Sequence, residues 1–266
     1  MLLDIHTHAF HPKIASKAVA QLESHYGITM SGSGLLEDLD AVTRKAGLDG
    51  YVVHNAATAA AQVVPANNFA MALSLTCPRA VAFGSIHPDY EEWEAQLKRL
   101  QAHGIRGIKL HPEFQGFWLD DPRLEPIFET IGDSMMIMCH IGDTLPPDEN
   151  PSCPYKLAAL IKKFPRVRFI AAHMGGYRHW KYALEALAGK NVYMDTSSSL
   201  AFIDDDTLHG LWKKHPREQW LFGSDWPLFD PASEQKMLRK RLGISDSALA
   251  DLMGNGALAL GLRAQD

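Results

Sequence analysis

The chain opens with an apolar run that ends in two histidines, Leu2-Leu3-Asp4-Ile5-His6-Thr7-His8. In an extended chain, residues two apart project to the same side at roughly 7 Å spacing, so both imidazoles can reach one metal ion. A lone His-x-His also arises by chance, and its meaning depends on what other apolar runs deliver. Four of them end in polar residues: Ile108-Lys109-Leu110-His111-Pro112, Met138-Cys139-His140-Ile141-Gly142-Asp143, Ala171-Ala172-His173-Met174-Gly175-Gly176 and Phe222-Gly223-Ser224-Asp225-Trp226-Pro227. Any one of these histidines alone reads as a hydrogen-bonded structural residue. Buried polar groups need partners, however, so a set of them gathered at one rim points to a metal site. Imidazole and carboxylate suit Zn²⁺ or another divalent transition ion, which lowers the pKa of a bound water toward ~7.

The runs that must position these groups alternate with amphipathic stretches. Predicted strands are Leu2–Ile5, Gly50–His54, Val81–Ile86, Ile105–Leu110, Met135–His140, Val167–His173, Asn191–Asp195 and Trp220–Asp225. Predicted helices fall at Leu35–Ala46, Tyr90–His103, Leu124–Ile131, Tyr155–Phe164, Trp180–Ala188, Asp204–His215 and Glu234–Leu242, with closing helices over Asp246–Leu262. Thr58–Thr76 also reads as helical around Ala59–Val64, with Pro65 expected to break or kink it. This alternation predicts an α/β fold, a (β/α)₈ TIM barrel filling residues 1–266 as a single domain. Chemistry in such a barrel belongs at the C-terminal strand ends. The rival, a doubly wound open sheet, lacks its Gly-x-Gly-x-x-Gly and P-loop fingerprints here.

At 266 residues, with 46% hydrophobic and 21% charged residues, the composition is that of an ordinary globular protein with room for one large barrel. A net charge of -5 offers no basic footprint for nucleic acid or an anionic membrane, which leaves a small molecule as the expected partner. Cys77, Cys139 and Cys153 form neither a disulfide framework nor a zinc-finger pattern. No secretory leader and no apolar span of ~20 residues is visible, so a cytoplasmic location is expected. Apolar helix faces would serve a homodimer interface as readily as a core.

The ordered set, from the first-strand His-x-His to Gly-Ser-Asp-Trp-Pro and the closing Gly254-Asn255-Gly256, resembles the metal-dependent amidohydrolase superfamily. It looks closest to the amidohydrolase-related branch, which mixes hydrolases with decarboxylases similar to aminocarboxymuconate semialdehyde decarboxylase. The resemblance implies a distorted (β/α)₈ barrel. It implies His6 and His8 as paired ligands, His140 as the fifth-strand ligand, and Asp225 as the eighth-strand carboxylate that touches the metal and takes a proton from its water. His173 would hydrogen-bond that water or the substrate in one-metal members and hold a second ion in two-metal members. A fourth-strand lysine, often carboxylated, bridges the ions of two-metal members, and Lys109 sits in that context. One-metal decarboxylases of the branch typically lack it. Lys109 otherwise stays an ammonium paired with Asp225 or a substrate carboxylate. One ion is favoured, with a second kept open.

The expected activity is metal-dependent hydrolysis of a small amide, lactone or ester that bears a carboxylate. The alternative is decarboxylation with the same ligands. A TatD-like metal nuclease is disfavoured by Lys109 and by the net acidity, and a non-catalytic metal-binding barrel is the remaining option. His111, Arg178 and Trp226 are candidate substrate contacts, each with an ordinary structural counterpart: loop capping, a solvated helix start, aromatic packing. His54 and His87 end strands in the same way. Asp4 is expected beneath the ligands, and Asp195-Thr196-Ser197-Ser198 either orients ligands or caps a helix. Gly116–Asp120 and Thr144–Pro154 are expected to form much of the pocket.

Overall fold

The computed structural model describes residues 1–262, and positions 263–266 of the expected domain lie outside the described residues. Strand segments are β1 (Leu3–Thr7), β2 (Gly50–Val53), β3 (Ala80–Ala82), β4 (Gly84–Ser85), β5 (Gly107–Leu110), β6 (Met136–Cys139), β7 (Arg168–Ala171), β8 (Tyr193–Asp195) and β9 (Trp220–Leu221). Helices are α1 (Ala15–Tyr26), α2 (Leu36–Lys45), α3 (Val63–Thr76), α4 (Trp93–Ala102), α5 (Pro112–Gln115), α6 (Glu125–Ile131), α7 (Pro154–Lys163), α8 (Trp180–Ala186), α9 (Asp205–Lys214), α10 (Pro231–Leu242) and α11 (Asp246–Ala259).

The strands pair in parallel as two arcs, β1-β2-β3 and β4 through β9 in sequence order. Backbone bonds bring the arcs together into a distorted (β/α)₈ barrel. Phe83 N–H donates to the Val53 carbonyl at 2.9 Å, and Ile5 N–H donates to the Phe222 carbonyl at 2.8 Å. The predicted third strand is interrupted at Phe83 into β3 and β4, so later strands number one higher than in the eight-strand count. All of β1, β2, β5 and β6 is buried, as parallel strands covered on both faces must be. Leu3, Ile5, Val52, Phe83, Met136, Met138, Ile170 and Leu221 pack together with Ala257 and Leu260, which fill one end of the barrel. The outer faces of the strands pack against the helices, with Val53, Ile108, Leu110, Ile137 and Phe169 in the larger cluster.

Two helices were not expected from the sequence, α1 and the short α5. The expected break at Pro65 is absent. A 3₁₀ turn at Ala60–Gln62 leads into α3, whose first residue is Val63. Proline in a first turn removes an N–H that has no helical acceptor, so α3 runs on through it. β1 also departs from plain alternation. Its pairing with β2 shifts register between Asp4 and Thr7, and His6 N–H donates to Asp4 Oδ1 at 3.1 Å. Strict alternation that carries Leu3 and Ile5 inward would turn His6 away. The irregularity lets His6 join the rim.

Candidate metal centre

The polar groups converge where the strands end. His6 Nε2 lies 3.3 Å from Asp225 Oδ1 and 3.4 Å from Lys109 Nζ, and His8 Nε2 lies 3.0 Å from the same Asp225 oxygen. Fixed acceptors behind the two rings set their tautomers. His6 Nδ1–H donates to Asp195 Oδ2 at 2.8 Å, and His8 Nδ1–H donates to the His54 carbonyl at 2.6 Å. In the neutral rings the Nε2 lone pairs therefore face a carboxylate oxygen. Three such lone-pair donors repel one another unless a cation lies between them, and they fit a divalent ion. His140 Nε2–H donates to the Gly142 carbonyl at 2.9 Å, which leaves its Nδ1 to accept from His173 Nε2–H at 2.9 Å. His173 Nδ1 in turn lies 2.9 Å from Ser197 Oγ.

Burial keeps these rings neutral. It holds His6, His54, His111 and His140 well below the ordinary imidazole range, and brings His173 down to about 4. Burial acts the opposite way on Asp225, yet its carboxyl stays well below the usual range beside His6, His8 and His173. Lys109 is lowered to about 8 by burial, against the pull of Asp225 and Asp195, and remains an ammonium at neutral pH. The backbone is bent to present these groups: His173, Ser198 and Asp225 adopt φ of 61°, 46° and 65°. Non-glycine residues in the left-handed region store strain, which concentrates at functional sites.

His6, His8, Lys109, His111, His140, His173 and Asp225 all line one cavity of about 150 Å³. The other sequence candidates do not. Arg178 is exposed and lies over the Tyr177 and Phe202 rings at 5.3 and 5.4 Å. Trp226 is fully buried and packs so closely on Gly32 that a Cβ there would sit 2.4 Å from its ring. The expected loop lining is also displaced: Gly116–Asp120 and Thr144–Pro154 contribute nothing to the cavity wall. Ala18, Leu22 and Tyr26 of α1 line it, together with Phe10, Asn55, Ala56, Thr58, Phe114 and Leu228. His111 caps α5 and lies flat between Phe114 and His140, with centroids 4.0 and 3.8 Å away.

Asp195 stands outside the predicted ligand set although it organises the centre. Beyond orienting His6, its Oδ1 accepts the backbone N–H of His173 at 3.1 Å and of Ser197 at 3.0 Å. Its place at a predicted strand end, amid hydroxyl residues, was the available signal. Ser198 Oγ donates to Asp225 Oδ2.

A metal-binding rim of this kind on a (β/α)₈ barrel defines a metal-dependent barrel enzyme. The chain belongs to the amidohydrolase family, whose model matches residues 3–260. No curated protein matches the chain. Among solved structures it is similar to 2,6-dihydroxybenzoate decarboxylase in complex with 2,6-dihydroxybenzoate, at TM-score 0.74 and 15% identity over 98% of this chain and 99% of that one. It is similar to 5-carboxyvanillate decarboxylase from Sphingomonas paucimobilis, at TM-score 0.73 and 15% identity over 98% and 99% of the two chains. A third is a dihydroxybenzoic acid decarboxylase from Polaromonas with bound manganese and 2-nitroresorcinol, at TM-score 0.70 and 16% identity over 99% and 98%. Among the described residues no helix is long and apolar enough to cross a membrane.

Proposed function

We propose that this enzyme is a metal-dependent decarboxylase acting on a small, single-ring carboxylate. The mixed lining of the cavity carries this reading. Phe10, Leu22, Tyr26, Phe114 and Leu228 give an apolar, largely aromatic wall to the cavity that His6, His8, Lys109, His140, His173 and Asp225 also line. Among the described residues Lys109 is the one Lys or Arg on that lining, and its ammonium offsets the charge of a bound carboxylate. The reading is also supported by the fold likeness to decarboxylases of hydroxylated benzoates.

His6, His8, His140 and Asp225 would hold one ion, Zn²⁺ or Mn²⁺, with His173 beside it. The ion supplies Lewis acidity toward substrate oxygens. The chain's own groups do the remaining work. The aromatic wall sets the ring, Lys109 grips the carboxylate, and neutral His173 donates from Nε2. The bond from ring carbon to carboxyl breaks with its electron pair left on the carbon. Asp225, ionised in the resting site, is the group that relays a solvent proton to that carbon, so RCOO⁻ plus one proton becomes RH and CO₂. This assigns the chain to the decarboxylase side of the family, the side of the enzymes similar to aminocarboxymuconate semialdehyde decarboxylase.

Hydrolysis of a lactone, ester or amide is a second reading, favoured by one observation. Lys109 Nζ lies 3.4 Å from His6 Nε2, inside the centre, where a carboxylated lysine could join two ions. One experiment separates the two. Protein loaded with Mn²⁺ or Zn²⁺, its metal content measured, is assayed on hydroxybenzoates and on matched esters, lactones and amides. The expected result is one ion per chain and CO₂ release from a carboxylate, lost on chelation and recovered on reloading. Turnover of the esters, lactones or amides with no CO₂ from any acid would overturn decarboxylation.

A further inference from the structure

His54, directly after β2, belongs to none of the ligand positions above, yet it is buried and both its ring nitrogens lack a hydrogen-bond partner. An imidazole so enclosed loses its hydration without recompense unless something absent from the protein atoms engages it. Its surroundings name that partner. One nitrogen from each of His6, His8 and His54 lies within 4.8 Å of the others. The ring centroids stand 5.2 Å (His6–His8), 4.5 Å (His6–His54) and 4.8 Å (His8–His54) apart, with interplanar angles of 75°, 69° and 87°. For nitrogens about 2.1 Å from an ion, ring centroids lie about 3.2 Å from it, and two such rings stand about 4.5–5.2 Å apart for ligand angles of about 90–109°. The three observed separations span that interval.

We propose that His54 is a further ligand of the ion that His6, His8, His140 and Asp225 would hold, so that the first two strands supply a three-histidine face to it. The backbone is built for it. The His54 carbonyl fixes the His8 ring and its N–H donates to the Thr7 carbonyl at 3.1 Å, so the ring that would bind and the ring it orients move together. The inference rests on the metal-centre reading.

The test is binding, not turnover. Full-length protein stripped of metal is titrated with Zn²⁺ against a chromophoric chelator, and with Co²⁺ followed by its visible absorption, in wild type, His54→Gln and His54→Ala. Circular dichroism of the stripped proteins checks folding. Loss of a group that merely orients a ligand costs 10–100-fold in affinity, so loss of a ligand should weaken binding by at least about 100-fold and change the Co²⁺ bands. A folded variant with unchanged affinity and spectrum overturns the proposal while the metal-centre reading survives. Wild type that binds neither ion overturns both. If the variants do not fold, a Zn²⁺-loaded wild-type crystal structure decides: a His54 nitrogen at coordination distance supports the assignment, and one bonded elsewhere overturns it.

Discussion

Asp225 concentrates the demands on this site. It faces His6 and His8 at 3.3 and 3.0 Å, accepts from Ser198, and sits at a φ of 65°. Asp225→Asn keeps shape and tolerates that φ, since asparagine is among the residues that enter the left-handed region. It removes the negative charge and the proton acceptor. Turnover should fall by at least about 100-fold, the low end of what a positioned acid–base group contributes, while the melting temperature of the metal-free protein stays close to wild type. Near-normal kcat in a folded variant would remove Asp225 from the chemistry. At this scale the sequence is informative, because a histidine or aspartate closing an apolar run is an anomaly that asks for a partner. Asp195 and His54 are the counterexamples. A strand-end residue announces its position but not the neighbour it turns toward, and His54 gains meaning only from the ring geometry of His6 and His8.

The elements position those residues by close approach. Gly223 follows β9, and a Cβ there would sit 2.8 Å from the His6 Cβ and 3.4 Å from those of Asp195 and Ser197. Backbone thus comes close behind His6 because a side chain is missing. Gly223→Ala should destabilise the fold by about 1–3 kcal/mol through overpacking. By displacing His6 it should also weaken metal affinity by at least about 10-fold, the scale of a disturbed supporting shell. Unchanged affinity by chelator competition would mean that His6 is held by Asp195 alone. Strand existence was readable because buried parallel strands are continuous apolar runs, and the break at Phe83 was not, since it changes pairing without changing composition. α1 differs: Ala15, Ala18, Val19, Leu22 and Tyr26 stand at helical spacing, so the signal was present, but only Ala15 is buried and the stripe serves the cavity instead of the core. Its Ala18, Leu22 and Tyr26 look toward the cavity, and the substrate wall was lost with it.

Over the whole molecule, the cost of burying so many titratable groups sets how stability depends on pH. His6, His54, His111, His140 and His179 have depressed pKa values, and His173 and His215 are lowered to about 4, chiefly by burial. Unfolding returns each toward its ordinary value near 6.5, so the unfolded chain binds more protons below that pH and stability falls on acidification. Buried acids act with the opposite sign. Burial raises Asp4 and Glu113 to about 7, Glu234 to about 8, and Asp195 above its ordinary value. Their contribution is complete at low pH and is lost as pH rises through those folded values. Between pH 4.5 and 6.5 the histidines outnumber these acids, and the slope is positive. Above about pH 7 the unfolded histidines have lost most of their protons, and deprotonation of the buried acids outweighs the opposite contribution of Lys109, lowered to about 8, so the slope reverses. The urea midpoint of the metal-free protein should therefore peak at about pH 7 and fall on both sides. Glu234→Gln should flatten the alkaline limb and steepen the acidic one, because it removes a group that is protonated in the folded chain and ionised in the unfolded chain across both. A midpoint that climbs steadily from pH 5 to 8, in wild type and variant alike, would mean that the buried acids are ionised in the folded protein.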